Sequence, residues 1–384
     1  MLEIRSVRGT GGGPEKTILL SAVRADPVRV ATTVCYIRDE RDRVFGIDAR
    51  AAAMKVDYVE VRERNSFDPQ AWTALRRLVR DRGIDIVHAH EYKTDLLACW
   101  LARVEPVIPL STVHGWSGHS WRERVVYYPA DRLVLTAFPQ VIAVSGEIRR
   151  ALIRAGVRRD RVTTILNAVD DRTFRRDTAN EAEARRTRGL DPEDVVIGTV
   201  GRLEPGKGLE MLIDVVASVA RERPRLRLVF AGDGSLRDAL TRRAESALPG
   251  RAVFLGHHAD VIGAHHAFDL FVHPSDHEGT PNAVLEAMAL ETPLVATDAG
   301  GTAELATPGT HALIVPCRTP AALRDAIEAA LADRVGARAR AARARRRVEE
   351  QLSFEARMRA VEDIYERLMQ RPAALAPGRH ASVA

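Results

Sequence analysis

Cysteine, lysine and aromatic residues are scarce in this 384-residue chain, and each scarcity removes a class of protein. The three cysteines, Cys35, Cys99 and Cys317, stand far apart in apolar surroundings. They suit buried free thiols in a reducing compartment and build neither a disulfide framework nor a zinc site. Only Lys16, Lys55, Lys93 and Lys207 carry an ammonium, so the net charge of +5 rests on arginines dispersed among acids. Such dispersion reads as a solvated surface. No nucleic-acid-binding motif is present, and nucleic acid is not an expected partner. No apolar run reaches the roughly 18 residues of a membrane span, and the opening Met1-Leu2-Glu3-Ile4-Arg5 lacks the apolar region of a signal peptide. The expected location is the cytoplasm. Aromatics make up 5% of a chain that is 46% hydrophobic, which describes a globular protein with an aliphatic core.

What is present is alternation. Short β-rich runs at 2–7, 30–37, 57–61, 84–88, 107–113, 140–144 and 161–166 are separated by helical patterns. Among the latter, 68–82 starts at Asp68-Pro69 and 145–155 is capped by Ser145. A polar stretch at 171–193 reads as a linker, after which the pattern restarts with strands at 195–200, 225–231, 252–255, 268–273, 294–297 and 312–315. The helix 208–221 places Leu209, Leu212, Ile213 and Val216 on one face. Strand–helix alternation of this kind makes parallel sheets covered on both faces. The expected architecture is α/β: two Rossmann-like domains, 1–175 and 176–352, with parallel sheets facing across a cleft. The stretch 321–351 is helical, and its Arg/Ala run at 338–347 reads as a solvated face. A last helix at 353–370, opened by Ser353, carries Phe354, Met358, Val361, Tyr365 and Leu368 as one stripe, and 371–384 is a tail.

Chemistry concentrates in two segments of the second half. Phe271-Val-His-Pro-Ser-Asp-His-Glu278-Gly279-Thr280-Pro281-Asn282-Ala283 continues through Glu286 to Gly300-Gly301. It reads as strand, loop, helix, strand, loop, with Thr280 as helix cap and Pro281 in the first turn. Glu278 then lies in a loop at a strand's carboxyl end, where open α/β sheets bind ligands, and Glu286 lies on the helix behind it. Backbone N–H groups at the helix start favour an anion. Gly201-Arg202-Leu-Glu-Pro-Gly206-Lys207-Gly208 follows a strand and opens a helix. Two cations at a helix N-terminus suit a diphosphate: Arg202 as a bidentate donor, Lys207 as a point charge. The glycine spacing and the ending are not those of a Walker A loop.

With Glu278 and Glu286 as Glu-x7-Glu, the Glu286-Ala-Met-Ala run, Gly300-Gly301 and a Gly-Arg-Leu-x-x-x-Lys-Gly match at 201–208, the chain resembles retaining glycosyltransferases of the GT-B fold, family 4. The resemblance implies a metal-independent enzyme that moves a sugar from a nucleoside-diphosphate sugar to an acceptor hydroxyl, on a glycan or a lipid-linked acceptor. No cofactor is expected, and the last helix is expected to cross back onto the first domain. Arg202 and Lys207 would neutralise the departing diphosphate, with Asn282 and Ala283 adding amide contacts. Glu278 would lie by the transferred sugar with Gly279 and Thr280, and Glu286 would bind the ribose. The strand-end His114 would contact the donor sugar near its reacting centre. Thr10-Gly11-Gly12-Gly13-Pro14 resembles the loop that closes over the diphosphate, with Gly12 and Gly13 in contact. Gly234, Gly256 and His257 would line the nucleobase pocket, and Asn167-Ala-Val-Asp170 resembles a turn at the hinge. One departure is Pro281, where the family has Gly; it removes an N–H.

Two features stay open. His88-Ala-His90 has metal-like spacing without a convincing third ligand, so no metal site is expected, and the pair reads as structural or acceptor-side. The stretch 120–137 mixes Trp121, Arg122, Arg124, Tyr127, Tyr128 and Arg132, with 133–137 as its buried stripe, and suits peripheral contact with an anionic membrane on its cytoplasmic face. The alternatives to a glycosyltransferase are a sugar-nucleotide epimerase of the same fold and a catalytically silent binding subunit. A dehydrogenase is disfavoured, since the first loop lacks the Gly-x-Gly-x-x-Gly spacing.

Overall fold

The structure, a computed structural model, describes residues 1–9, 11, 13–66, 68–115, 123–256 and 260–370, with the side chains of 123 and 124 excluded. The chain divides into two units, Met1–Leu166 joined by the segment that begins at Phe354, and Asn167–Ser353.

The first unit holds β1 (Leu2–Ser6), β2 (Thr33–Asp39), β3 (Tyr58–Glu63), β4 (Ile86–Ala89), β5 (Ile108–Val113), β6 (Gln140–Ala143) and β7 (Val162–Thr164). They form one parallel sheet in the order β3-β2-β1-β4-β5-β6-β7. The chain reverses its direction of travel across the sheet at β1 and β4, so the loops after these strands open at a switch point. Helix starts follow the local chemistry. Asp68 accepts the Gln70 N–H ahead of Pro69–Asp81, and Ser145 accepts the Ile148 N–H ahead of Gly146–Arg154. The closing helix Phe354–Gln370 buries Val361, Ile364, Tyr365 and Leu368 against Ile86, Leu110, Ile142 and Ile165, and so completes this unit rather than the one that precedes it in sequence.

The second unit holds β8 (Val195–Val200), β9 (Leu226–Ala231), β10 (Ala252–Phe254), β11 (Leu270–His273), β12 (Leu294–Thr297) and β13 (Leu313–Val315). These are also parallel, in the order β10-β9-β8-β11-β12-β13, with the reversal at β8 and β11. The helix Leu209–Ala220 buries the expected Leu209, Leu212, Ile213 and Val216.

Several expectations need correction. Residues 167–175 pack with the second unit, ahead of the expected boundary at 175, because Arg345 donates to the carbonyls of Asp171 and Phe174. The polar stretch 171–193 is not a free linker; it holds the helix Glu181–Arg186 and is tied in by Arg185 on Asp269. The stretch 321–351 is broken at Asp333, whose side chain caps a new helix at the Gly336 N–H, giving Pro320–Ala332 and Arg334–Arg347. Within the Arg/Ala run, Ala341 and Ala344 are buried and Arg343, Arg345 and Arg347 bind backbone carbonyls. Part of that run is therefore structural, not solvated. In 120–137 a π-helical segment, Glu123–Tyr127, runs into the α-helix Tyr128–Leu135; Leu135 and Tyr128 are buried while Leu133 faces out, since 133 and 135 lie on opposite sides of a turn. Trp121 and Arg122 and the side chain of Arg124 lie outside the described residues.

Candidate active site

The glycine-rich and charged loops of the second unit's site follow the carboxyl ends of β8, β9, β10, β11 and β12. Because β8 and β11 are neighbours, the loop 201–208 meets the loop 274–281, although some seventy residues separate them. The contact is direct: Lys207 Nζ lies 2.6 Å from Glu278 Oε1. Gly208, at φ 64°, caps the following helix, and a Cβ there would stand 2.1 Å from the Pro274 carbonyl oxygen. The Asp276 N–H donates to the Gly206 carbonyl at 2.9 Å. From β12, the Gly301 N–H donates to the Gly279 carbonyl at 2.7 Å, and a Cβ on Gly300 would fall 1.9 Å from the Glu278 carbonyl oxygen. Side chains larger than hydrogen are thus excluded where three loops touch.

Glu278 is mostly buried, and burial alone would raise its pKa. The hydrogen bond and charge of His273, with the Lys207 ammonium behind them, outweigh burial and hold the carboxyl well below the usual range. His273 Nε2 stands 3.0 Å from the same Oε1 that Lys207 contacts. Glu278 is therefore an acceptor at any working pH, and Oε2 has no hydrogen bond among the described residues. Arg202 is exposed in the same loop as Lys207 and forms no ion pair among the described residues. Glu286 is buried on the helix Asn282–Ala289.

The helix begins one residue later than expected. Pro281, at ψ 111°, is itself the cap residue in place of Thr280. Val284 and Leu285 N–H groups already bond the Pro281 carbonyl, which leaves the amides of Asn282 and Ala283 ahead of the ladder. Asn167 fixes this turn: its Nδ2 donates to the Thr280 carbonyl at 3.2 Å and to Asn282 Oδ1 at 3.1 Å. Sequence reasoning assigned no role to His273 and took Asn167 as a hinge. The first had a signal in its place at a strand end five residues before Glu278. The second had none, since its partners are remote in sequence.

Gly234 and Gly256 sit in loops that meet through a Gly232–Gly256 bridge. A Cβ at Gly234 would lie 2.5 Å from the Leu203 carbonyl oxygen, so packing onto the 201–208 loop requires this glycine whatever binds there. His257 and Gly12 lie outside the described residues.

In the first unit, Gly13 opens the helix Gly13–Arg24 after β1, and His114 follows β5. His114 Nε2 is 3.2 Å from His90 Nδ1, and His90 Nε2 bonds Glu3 Oε2. Tyr365 donates to Glu3 Oε1 at 3.2 Å, and His88 bridges Tyr365 (2.9 Å) and Thr112 (2.7 Å). The missing third partner of His88 and His90 is Glu3, brought alongside by the register of β1 on β4. The expectation of a pair without a third partner fails because the carboxylate comes from a different strand. All four ring nitrogens of His88 and His90 already have hydrogen-bond partners, so the cluster is a hydrogen-bonded chain. Burial, then neighbouring cations, pushes His114 well below the usual imidazole range, and burial takes His90 down to about 4. Both rings are neutral near pH 7.

Two family profiles match the chain: "Glycosyltransferase Family 4" over residues 20–173 and "Glycosyl transferases group 1" over residues 194–333. A lipopolysaccharide core biosynthesis mannosyltransferase of Rhizobium meliloti is 32% identical over 54% of this chain and 61% of its own. The chain thus spans about three fifths of that relative. A glycogen synthase of Mycobacterium tuberculosis is 27% identical over 86% of this chain and 79% of its own. In structure, HepE of Anabaena superposes with a TM-score of 0.83 at 19% identity, over 95% of this chain and 99% of that one. Two parallel, doubly wound sheets with a returning C-terminal helix, and two family profiles that together take in about three quarters of the residues, place the chain among the family 4 glycosyltransferases of GT-B fold.

Proposed function

We propose that the protein transfers a hexose from a nucleoside-diphosphate sugar to an acceptor hydroxyl on a glycan or a lipid-linked acceptor, with retention at the anomeric carbon and without a metal. The observation that carries this reading is the Lys207–Glu278 contact at the β8/β11 switch point. It pairs an ammonium suited to a departing diphosphate with an ionised acceptor suited to sugar hydroxyls. Arg202, Lys207 and the amides of Asn282 and Ala283 supply positive charge where a divalent ion would otherwise be needed. Glu278 Oε2 takes hydroxyl hydrogens and fixes the donor's pose; held ionised, the carboxylate is not a general acid. The acceptor attacks the leaving-group face, and a diphosphate oxygen receives its proton. Glu286 holds the ribose, the loop at Gly12 and Gly13 the diphosphate, His114 the donor sugar, and Gly234, Gly256 and His257 the base.

Thermal shift against UDP-, GDP- and ADP-sugars tests the donor class. HepE was solved with UDP-glucose, which makes that compound the first probe. One nucleotide family is expected to raise the melting temperature, and nucleoside diphosphate is expected to appear only with a hydroxyl acceptor. Interconversion of the sugar nucleotide without an acceptor would favour an epimerase instead.

The pH profile is a second expectation. Since His114 is neutral far below pH 6.5 and Glu278 ionised below pH 4.5, neither group titrates between about pH 5 and 8. kcat/KM should therefore show no inflection from either group across that window. A bell centred near pH 6.5 that disappears in His114→Gln would contradict this.

Peripheral membrane contact through 120–137 belongs to the same proposal. Val125, Val126, Tyr127 and Leu133 are exposed apolar side chains there. No described helix is long and apolar enough to cross a membrane. Val126→Asp with Leu133→Asp is expected to abolish flotation with anionic liposomes while leaving the melting temperature within about a degree, as exposed substitutions cost little. Flotation unchanged by both would remove the contact.

A further inference from the structure

We propose that Glu3 acts through His90 as a positioning residue that fixes His114 as its Nε2–H tautomer, leaving Nδ1 as a lone-pair acceptor for a substrate hydroxyl. The hydroxyl in this statement rests on the glycosyl-transfer reading above; the tautomer does not. Each neutral imidazole has one donor and one acceptor nitrogen, so one fixed proton determines the rest of the chain.

The fixed point is Glu3. Its two oxygens receive separate groups, Tyr365 at Oε1 and His90 at Oε2. Burial opposes its charge, but the contacts of His88 and His90 lower its pKa well below the usual carboxylate range, and the hydrogen bonds donated by His90 and Tyr365 favour the ionised form with the His90 ring neutral. The buried Arg357 adds a cation to the same surroundings. An ionised carboxylate only accepts. His90 must then place its proton on Nε2, which leaves Nδ1 bare. The sole group that meets this Nδ1 among the described residues is His114 Nε2, at 3.2 Å, which must carry the proton. His114 Nδ1 is left bare, enclosed and without a partner among the described residues. The second branch is consistent: Thr112 donates to His88 Nε2, His88 Nδ1–H to Tyr365, and Tyr365 to Glu3.

A buried acceptor without a donor costs free energy that a ligand hydroxyl recovers. The same ring with its proton on Nδ1 would meet that hydroxyl's oxygen instead, so the tautomer selects which partner fits. Glu3 and His90 are thus placed to control His114 without touching substrate.

The test uses the full-length protein labelled with 15N-histidine near neutral pH, with His114 assigned from the His114→Gln spectrum. A pyridine-type Nδ1 and a pyrrole-type Nε2 are expected for His114. A protonated Nδ1, or a doubly protonated ring, overturns the proposal. His90→Phe removes the acceptor of the His114 proton; the pure tautomer should give way to an exchanging mixture, and kcat should fall about tenfold with KM little changed. An unaltered tautomer in that variant overturns the relay, and if the variant does not fold, the wild-type spectrum decides alone. Adding UDP-glucose should move the Nδ1 resonance. A thermal shift from UDP-glucose with Nδ1 unmoved overturns the acceptor role. No thermal shift from any sugar nucleotide counts against the donor reading, and the tautomer spectrum then judges the relay by itself.

Discussion

Lys207→Met is expected to lower kcat for sugar transfer about 100- to 1,000-fold, with a smaller rise in KM for the sugar nucleotide. The reason is differential charge. Negative charge on the diphosphate grows as the glycosidic bond breaks, and one preorganised donor aimed at such charge is worth about 3–4 kcal/mol. Lys207 is preorganised because Glu278 holds its ammonium at 2.6 Å, on side chains 24% and 12% exposed. That pairing also predicts non-additivity. Glu278→Gln removes the anchor as well as the proposed sugar contact, so the two substitutions together should cost less than the sum of their separate effects. Stability against pH supplies a check that needs no substrate. The folded pKa of Glu278 is depressed, so its contribution is present above about pH 4.5 and is lost as pH falls through the folded value. Glu278→Gln should accordingly flatten the acid side of the stability curve. A Lys207→Met enzyme within about threefold of wild-type kcat would remove Lys207 from the diphosphate site.

The second large effect comes from Gly300→Ala. The new Cβ would lie 1.9 Å from the Glu278 carbonyl oxygen, at φ +56°. Backbone atoms cannot swing aside as a side chain can, so the loop that carries Glu278 must move. Strain and overpacking together put the cost at about 3 kcal/mol, and the displaced carboxylate should lower kcat at least about tenfold. Gly250→Ala separates the two contributions. That glycine has φ +69° with nothing within 4 Å of a Cβ, so it pays only the left-handed penalty of about 1–2 kcal/mol. Thermal or denaturant unfolding of both variants, beside their transfer rates, should show the larger stability loss in Gly300→Ala and loss of activity in that variant alone. Equal activity in both would mean that the three loops are not rigidly coupled.

The strands and most helix starts were legible in the sequence because local rules govern them. Thirteen β-rich runs became thirteen strands with ends shifted by at most a few residues, since a short aliphatic run between turn signals has no competing local structure. Asp68 and Ser145 cap where expected, because capping involves atoms within three residues. Thr280 fails as a cap for a similarly local reason. Pro281 takes the extended ψ itself and starts the helix one residue on. The stretch 171–193 looked like a linker because its composition is polar, yet distant partners, Asp269 for Arg185 and His266 for the Asp177 N–H, pin it to the second unit.

Residue identities and spacing within single loops thus determined the family, the parallel sheets and the names of the charged groups. Tertiary structure alone decided which groups meet. The order of strands puts β8 beside β11 and β1 beside β4, and those adjacencies join Lys207 to Glu278 and Glu3 to His88 and His90. Pairings of that kind arise from long-range sheet register and glycine-thin loop contacts, and neither leaves a periodic trace in the chain. Ionisation follows the same division: a sequence can list a glutamate, but its charge state depends on the burial and neighbours that only the assembled fold provides.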